Sequence, residues 1–262
     1  LPIADLANIG FSSIEHASYL LRLGSDEHAM VKELLAGKIS KAQADQLYFK
    51  NFDQAKAIEG YKMLAEKKVA VTPTLIGGRQ LAFLDENNHK QDDFLKYLTR
   101  RFVSNYQWRI DRMANETPAQ KQDRKDKYEL IAKQIPLLQQ AGVLILAGSD
   151  AAALNTYVYP AASLIEELEL FQHAGMRPID ILRAATINGA MFMKKYDEVG
   201  SVSVGKRADL VLLASNPLEN IAAVKNIESV IVRGTLYDRS ALDTMLGKAI
   251  QKKIELDSTR KE

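Results

Sequence analysis

The chain contains no cysteine. That excludes disulfides, cysteine nucleophiles and thiolate metal sites, and it leaves the compartment open between cytoplasm and periplasm. Long apolar runs are also missing. The longest aliphatic stretches, such as VLILA at 143–147, are far too short to span a bilayer. Charge of one sign is absent as well. Lys and Arg number 35 against 33 Asp and Glu, a formal net charge of +2. This balance argues against nucleic acid or an anionic membrane as partner. There is no GxGxxG and no P-loop, so a nucleotide-binding α/β domain has no support. Histidine is scarce, with four residues and no H-x-H pair anywhere. The opening LPIADLANIG has no initiator Met, no basic n-region and no apolar h-region, so no signal peptide is visible.

What is present is the composition of a soluble globular protein. Of 262 residues, 47% are hydrophobic and 26% charged, enough for a sizeable core in one large domain or one domain plus a small one. Leu1–Asn8 reads as the end of an amphipathic helix, and Phe11–His16 as a short strand. Helices are expected over Asp26–Ala36 and Gln54–Lys68, then a strand over Val69–Leu75 with a turn at Gly77–Gly78. Helix followed directly by strand is the rhythm of a parallel sheet. Asp92–Met113 and Ala119–Gln140 have helical spacing. The run KQDRKDK in the second reads as a solvated face. Further helices are expected over Ala161–Ala174, Pro178–Thr186 and Asn188–Lys194. From Tyr196 the period shortens. Strands are expected at Ala208–Leu213, Ile227–Val232 and Thr235–Tyr237, with a hairpin turn at Gly234 and a final helix over Ala241–Ile254 that frays into DSTRKE. The division is therefore 1–195, mostly α/β, and 196–262, small and β-rich.

The stretch VLILAGSD at 143–150 holds the candidate centre. It is a short buried strand ending in Gly148, Ser149 and the carboxylate of Asp150. α/β barrels and open α/β sheets place their chemistry at this end of a strand. An aspartate there also serves as an ordinary helix cap or turn residue, and the strand alone does not separate the two. His16, at the end of FSSIEH, is open to the same two readings. His28 and His89 lie in polar segments expected to be exposed, and His173 sits at a helix end.

The order of segments favours the functional reading. GFSSIEH precedes AEKKVAVTPTL; LILAGSD and AGMRPIDILRAATINGA follow, and then VGSVSVGKRADLVLLASNPLENI. This series resembles the C-terminal half of a metal-dependent amidohydrolase of the imidazolonepropionase-like and prolidase-like branch. The resemblance implies the C-terminal part of a (β/α)8 TIM-type barrel plus part of a small β-sandwich domain. Phe11–Glu15, Val69–Leu75 and Val143–Ala147 match its sixth, seventh and eighth strands. It implies His16 as a metal ligand and Asp150 as both metal ligand and proton-transferring catalytic residue. The cofactor implied is a divalent metal, one or two Zn, which lowers the pKa of the water it binds to near neutrality. The activity implied is hydrolysis of an amide-type bond in a small-molecule substrate: a dipeptide, an N-acyl amino acid or a cyclic amide.

The interval from His16 to Asp150 is far longer than two βα units of about 30 residues each. Part of Gly77–Met113 is therefore expected to cover the pocket, with Arg79, Tyr106, Trp108 and Arg109 as candidates for substrate contact. Asn155, Tyr157 and Tyr159, just beyond Asp150, are the stronger candidates for lining it. The family's first-strand H-x-H and its middle-strand ligands have no match here. Two ligands fall short of the usual three or four. The expected partner is thus a missing N-terminal half of the enzyme, and the isolated chain is expected to be inactive and to bind metal weakly. A homo-oligomer stays open. The competing reading is a non-catalytic binding or interaction relative of the same fold.

Overall fold

The structure, a computed structural model, describes residues 1–152 and 154–259. The chain opens with α1 (Ile3–Asn8) and β1 (Ser13–Glu15), then a 3-10 segment over Ala17–Gly24. Next come α2 (Glu27–Leu35), α3 (Lys41–Lys50) and α4 (Gln54–Glu66). Side-chain caps start all three. Asp26 accepts from Ala29 N–H, Asp53 from Lys56 N–H, and Ser40 and Gln43 form a reciprocal capping box. β2 (Ala70–Thr72) leads into α5 (Leu75–Ala82), so Gly77 and Gly78 are helical rather than a turn.

The expected helix over 92–113 is broken into a 3-10 turn (Asp93–Tyr97), α6 (Arg100–Ser104) and α7 (Gln107–Met113). The helix after it is also divided, into α8 (Pro118–Ala132) and α9 (Gln134–Gln140). Pro136 explains that break, because its ring lacks an N–H and crowds the carbonyl four residues back, that of Ala132. Then follow α10 (Ala162–His173), α11 (Pro178–Ala185) and α12 (Ile187–Phe192). The last part holds β3 (Leu210–Leu213), β4 (Ile227–Val232), β5 (Thr235–Asp238) and α13 (Arg239–Thr259). α13 stays helical to Thr259 instead of fraying at Asp257; Arg260, Lys261 and Glu262 of the charged tail lie outside the described residues.

β1 and β2 pair in parallel, Ile14 opposite Val71 and Glu15 opposite Thr72. On the other side of β2, Val71 N–H donates to Leu144 O (2.9 Å) and Leu146 N–H to Val71 O (2.8 Å). The expected strand at 143–147 is thus reduced to one parallel bridge at Ile145. All three segments run in the same direction, so their C-terminal ends share one edge. The strands are buried among the helices: Val71 of β2 is fully enclosed with Tyr61 and Leu64 of α4, Ile135 and Leu138 of α9, Phe171 of α10 and Ile181 of α11. Gln134, a polar side chain deep in this core, is satisfied: it accepts from Tyr61 OH (3.2 Å) and donates to Leu130 O (2.9 Å).

β3, β4 and β5 form an antiparallel meander. Arg233 and Gly234 both have positive φ (50° and 81°), the requirement of a type I′ hairpin turn. This sheet is a single layer. The described residues hold no second sheet facing it, and Val211, Leu212, Val232 and Leu236 are exposed on its faces.

Candidate active site at the strand ends

The residue that follows β1 is His16. Its N–H still donates to Thr72 O (2.9 Å), so its backbone is held in the ladder. Thr74 stands two residues beyond β2. Asp150 ends the bridged segment. All three have positive φ: 72°, 48° and 53°. Such angles are uncommon outside glycine and a genuine outlier for a β-branched residue. Strain of this kind costs about 1–3 kcal/mol per residue and persists where the surroundings over-determine the backbone.

The angles bring the three side chains together. His16 Nδ1 and Thr74 Oγ1 are 2.8 Å apart. His16 Nε2 lies 3.9 Å from Asp150 Oδ2, with both side chains about half exposed. At that separation they do not hydrogen-bond each other. The tautomer in which Nδ1–H donates to Thr74 Oγ1 leaves the Nε2 lone pair on the side of the carboxylate. Gly148 permits the approach of the third segment: a Cβ there would sit 2.7 Å from Thr72 Cγ2.

Thr74 is itself fixed from behind. Leu75 and Ile76, the first residues of α5, donate their N–H groups to the two carboxylate oxygens of Glu167 (2.8 and 2.7 Å). Glu167 comes from α10 and is wholly buried. Burial pushes its pKa up to about 8, against the pull of the two N–H donors.

Asp150 is held from the other side. Asn155 Nδ2 donates to its Oδ2 (2.8 Å) and also reaches its main-chain oxygen. Asn155 Oδ1 in turn accepts from Arg109 Nη2 of α7 (2.7 Å). Two more bonds join this cover to the loop: Trp108 Nε1 to Leu154 O, and Thr156 Oγ1 to Tyr106 O, both 3.0 Å. Burial, and then the neighbouring Arg112, lower the Arg109 pKa, while Asp150 opposes them.

These groups border a cavity of about 420 Å³. His16, Thr74 and Asp150 lie at the strand ends, with Arg109 and Asn155 beside them. Gly77, Gly78 and Leu81 of α5 and Arg124, Lys127, Tyr128 and Ile131 of α8 complete the wall. Two of the charges in KQDRKDK, Arg124 and Lys127, therefore line the cavity; the run is not a purely solvated face. They are three apart on the helix and so share a side.

Other expected site residues fall elsewhere. Tyr157 and Tyr159 do not line this cavity. They are buried with Tyr106 in an aromatic cluster under α6 and α7. The loop turns inward, with positive φ at Tyr157 and Ala161 (57° and 63°), and carries both rings away from the strand ends. Tyr157 stacks on His89 (4.6 Å). Tyr159 OH donates to Asp92 Oδ2 (2.7 Å). Burial, with that bond to Asp92, pushes its pKa upward. Arg79 borders a second cavity with His89, Asp92, Tyr159 and Glu166, and its guanidinium lies 5.5 Å from the Phe83 ring centroid. Tyr106 and Trp108 hold the cover but do not line the first cavity. His89, expected on an exposed segment, is buried, its Nδ1 2.8 Å from Asp92 Oδ2.

A histidine nitrogen and a carboxylate are suitable donors for a zinc-type ion. The hydrogen bond to Thr74 is the support that a ligating imidazole ordinarily has. Among the described residues, however, no group of three or more His, Asp or Glu side chains is placed to hold a metal. The donor chemistry fits, and the set is incomplete.

The family model of the Amidohydrolase family matches residues 12–237. The imidazolonepropionase of Geobacillus sp. (strain WCH70) is 40% identical over 73 residues, covering 26% of this chain and 17% of that protein. The fold is similar to that of the bottromycin amidohydrolase (TM-score 0.68, 18% identity), covering 97% of this chain and 51% of that one. It is also similar to that of a Xaa-Pro dipeptidase with methionine in its active site (TM-score 0.53, 20% identity), covering 88% and 41%. The chain thus spans about half the length or less of these proteins. With 12–237 matched as one continuous region that contains both His16 and Asp150, the chain belongs to the amidohydrolase family.

Proposed function

We propose that this chain carries the C-terminal part of the active site of a metal-dependent hydrolase of amide-type bonds, acting on a dipeptide, an N-acyl amino acid or a cyclic amide. In this reading β1, β2 and the bridged segment are the last strands of a (β/α)8 barrel. Residues 196–262 are then part of a small β-sandwich beside it. The observation that carries the reading is the meeting of His16 and Asp150 at 3.9 Å on the C-terminal edge of parallel strands. Each is anchored by its own polar partner, Thr74 and Asn155.

His16 Nε2 and Asp150 would hold a divalent ion, one or two Zn. The ion's contribution is to bring the pKa of a water close to neutrality. Asp150 takes a proton from the attacking water as the C–O bond forms. It returns that proton to the leaving nitrogen as the C–N bond breaks. Asn155 keeps the carboxylate pointed at the reacting atoms. The remaining ligands come from outside these 262 residues, from the N-terminal half of the same enzyme, so the isolated chain is inactive.

The test is metal analysis of the full-length protein beside an Asp150→Asn variant, with a panel of dipeptides and N-acyl amino acids. A bound divalent metal is expected, with a loss of turnover of at least about a thousandfold in the variant. Unchanged turnover would remove Asp150 from the chemistry. A metal-free, inactive full-length protein would turn the assignment to a binding relative.

A further inference from the structure

We infer that the α8 wall of the cavity is a binding site for one carboxylate of the substrate, with Lys127 as its contact. The inference deepens the hydrolase reading, since it names the charge of the molecule that would occupy the same cavity.

Charge around the cavity is one-sided. Three cations line it, Arg109, Arg124 and Lys127, against a single carboxylate, Asp150. Arg109 is bonded to a neutral amide, that of Asn155. Arg124 directs Nε and Nη2 to the same oxygen of Glu116 (3.1 and 2.8 Å), which meets its charge, and its Nη1 is buried away from a ligand's reach. Lys127 is half-buried and has no carboxylate oxygen within 4.0 Å among the described residues. The acid that acts on it, Asp45, is paired with Lys41 at 2.7 Å. Burial pushes the Lys127 pKa down, as expected of an ammonium partly withdrawn from water without a counter-ion.

A cation held in this way is costly unless an anion meets it. With Arg124 already paired to Glu116, the free Lys127 ammonium leaves about one positive charge for a ligand to meet. That matches a carboxylate better than a phosphate dianion. Tyr128, Ile131 and Leu81 supply apolar wall around the same position. The site would therefore take a small molecule with an apolar side chain and a free carboxylate, its scissile amide directed to His16 and Asp150.

Two probes without an amide bond test this on the full-length protein by calorimetric titration: 4-methylpentanoate and 4-methylpentan-1-ol. The carboxylate is expected to bind at least about tenfold tighter than the alcohol. Lys127→Gln should erase that gap, Lys127→Arg should keep it, and inorganic phosphate should not compete. Equal binding of the two probes, or a gap that survives in Lys127→Gln while Lys127→Arg remains folded by thermal melting, overturns the inference. Competition by phosphate at the same concentration overturns its restriction to carboxylates. A Lys127-dependent gap in a protein that hydrolyses no amide would support this site and sink the hydrolase reading.

Discussion

Glu167 is the buried group on which the site's backbone leans, and changing it to glutamine separates two accounts of how it does so. Its oxygens accept from Leu75 and Ile76 N–H. A glutamine keeps one acceptor and turns an NH2 toward the other donor. One enclosed N–H then goes unsatisfied, which costs about 1–3 kcal/mol. The pH dependence is more telling. Burial holds the folded-state pKa at about 8, above the ordinary 4.5. Folding therefore favours the protonated acid. That contribution is fully present below about pH 4.5 and is lost as pH rises through 8. Glutamine does not titrate. Between pH 6 and 9 the native protein should lose about 3 kcal/mol relative to Glu167→Gln, at about 1.4 kcal/mol per pH unit. Urea unfolding of both proteins at several pH values measures it. A stability difference that stays constant over that range would refute the reasoning. It would show that the two N–H donors at the start of α5 hold the carboxylate ionised throughout.

Three other substitutions probe the residues around the site. Thr74→Val removes the partner of His16 Nδ1 while keeping the side-chain shape; divalent-metal affinity of the full-length protein should fall about 10- to 100-fold, measured by competition with a chelating dye. Asn155→Ala frees the Asp150 carboxylate. It should lower kcat by about tenfold or more with KM little changed, and a matching rise in KM alone would make Asn155 a substrate contact instead. Tyr159→Phe deletes a bond to Asp92 away from the first cavity. It should cost about 1 kcal/mol in thermal unfolding and leave turnover within about twofold.

The residues at the strand ends were legible because they follow a physical rule that sequence displays. A short apolar run that stops at polar residues places them at the edge of the sheet, as VLILAGSD does for Asp150; FSSIEH is half polar, and the order of the segments around it pointed to His16. The residues beyond them were less legible. Nothing in LNTYVY says that the backbone turns left-handed at Tyr157 and buries two of its tyrosines under α7. His89 looked exposed because its neighbours are polar. Its burial depends on the local partner Asp92, three residues on, and on the Tyr157 ring, which arrives from a distant part of the chain. Lys127 and Arg124 were hidden for a related reason. A charge run has the same composition whether its helix faces water or a cavity, and only the packing of α8 beside α5 decides which. α3 is different: no element was expected over 37–53, although its capping box Ser40–Gln43 is a signal that sequence displays.

The backbone angles at the three strand ends connect these observations. Without their outward turns, His16, Thr74 and Asp150 would continue the alternation of their strands and separate onto opposite faces of the sheet. Positive φ at each one breaks that alternation and gathers them on one edge. The cost is met by contacts that hold the backbone there: the ladder bond from His16 N–H to Thr72, the Glu167 bonds just after Thr74, and the Asn155 bonds to Asp150. Two of these anchors are side chains remote in sequence from the strand they serve or tied to the α7 cover through Arg109. The geometry between His16 and Asp150 is therefore a property of α10 and of the cover as much as of the strands. Weakening either should loosen the pair even where the sheet itself is untouched.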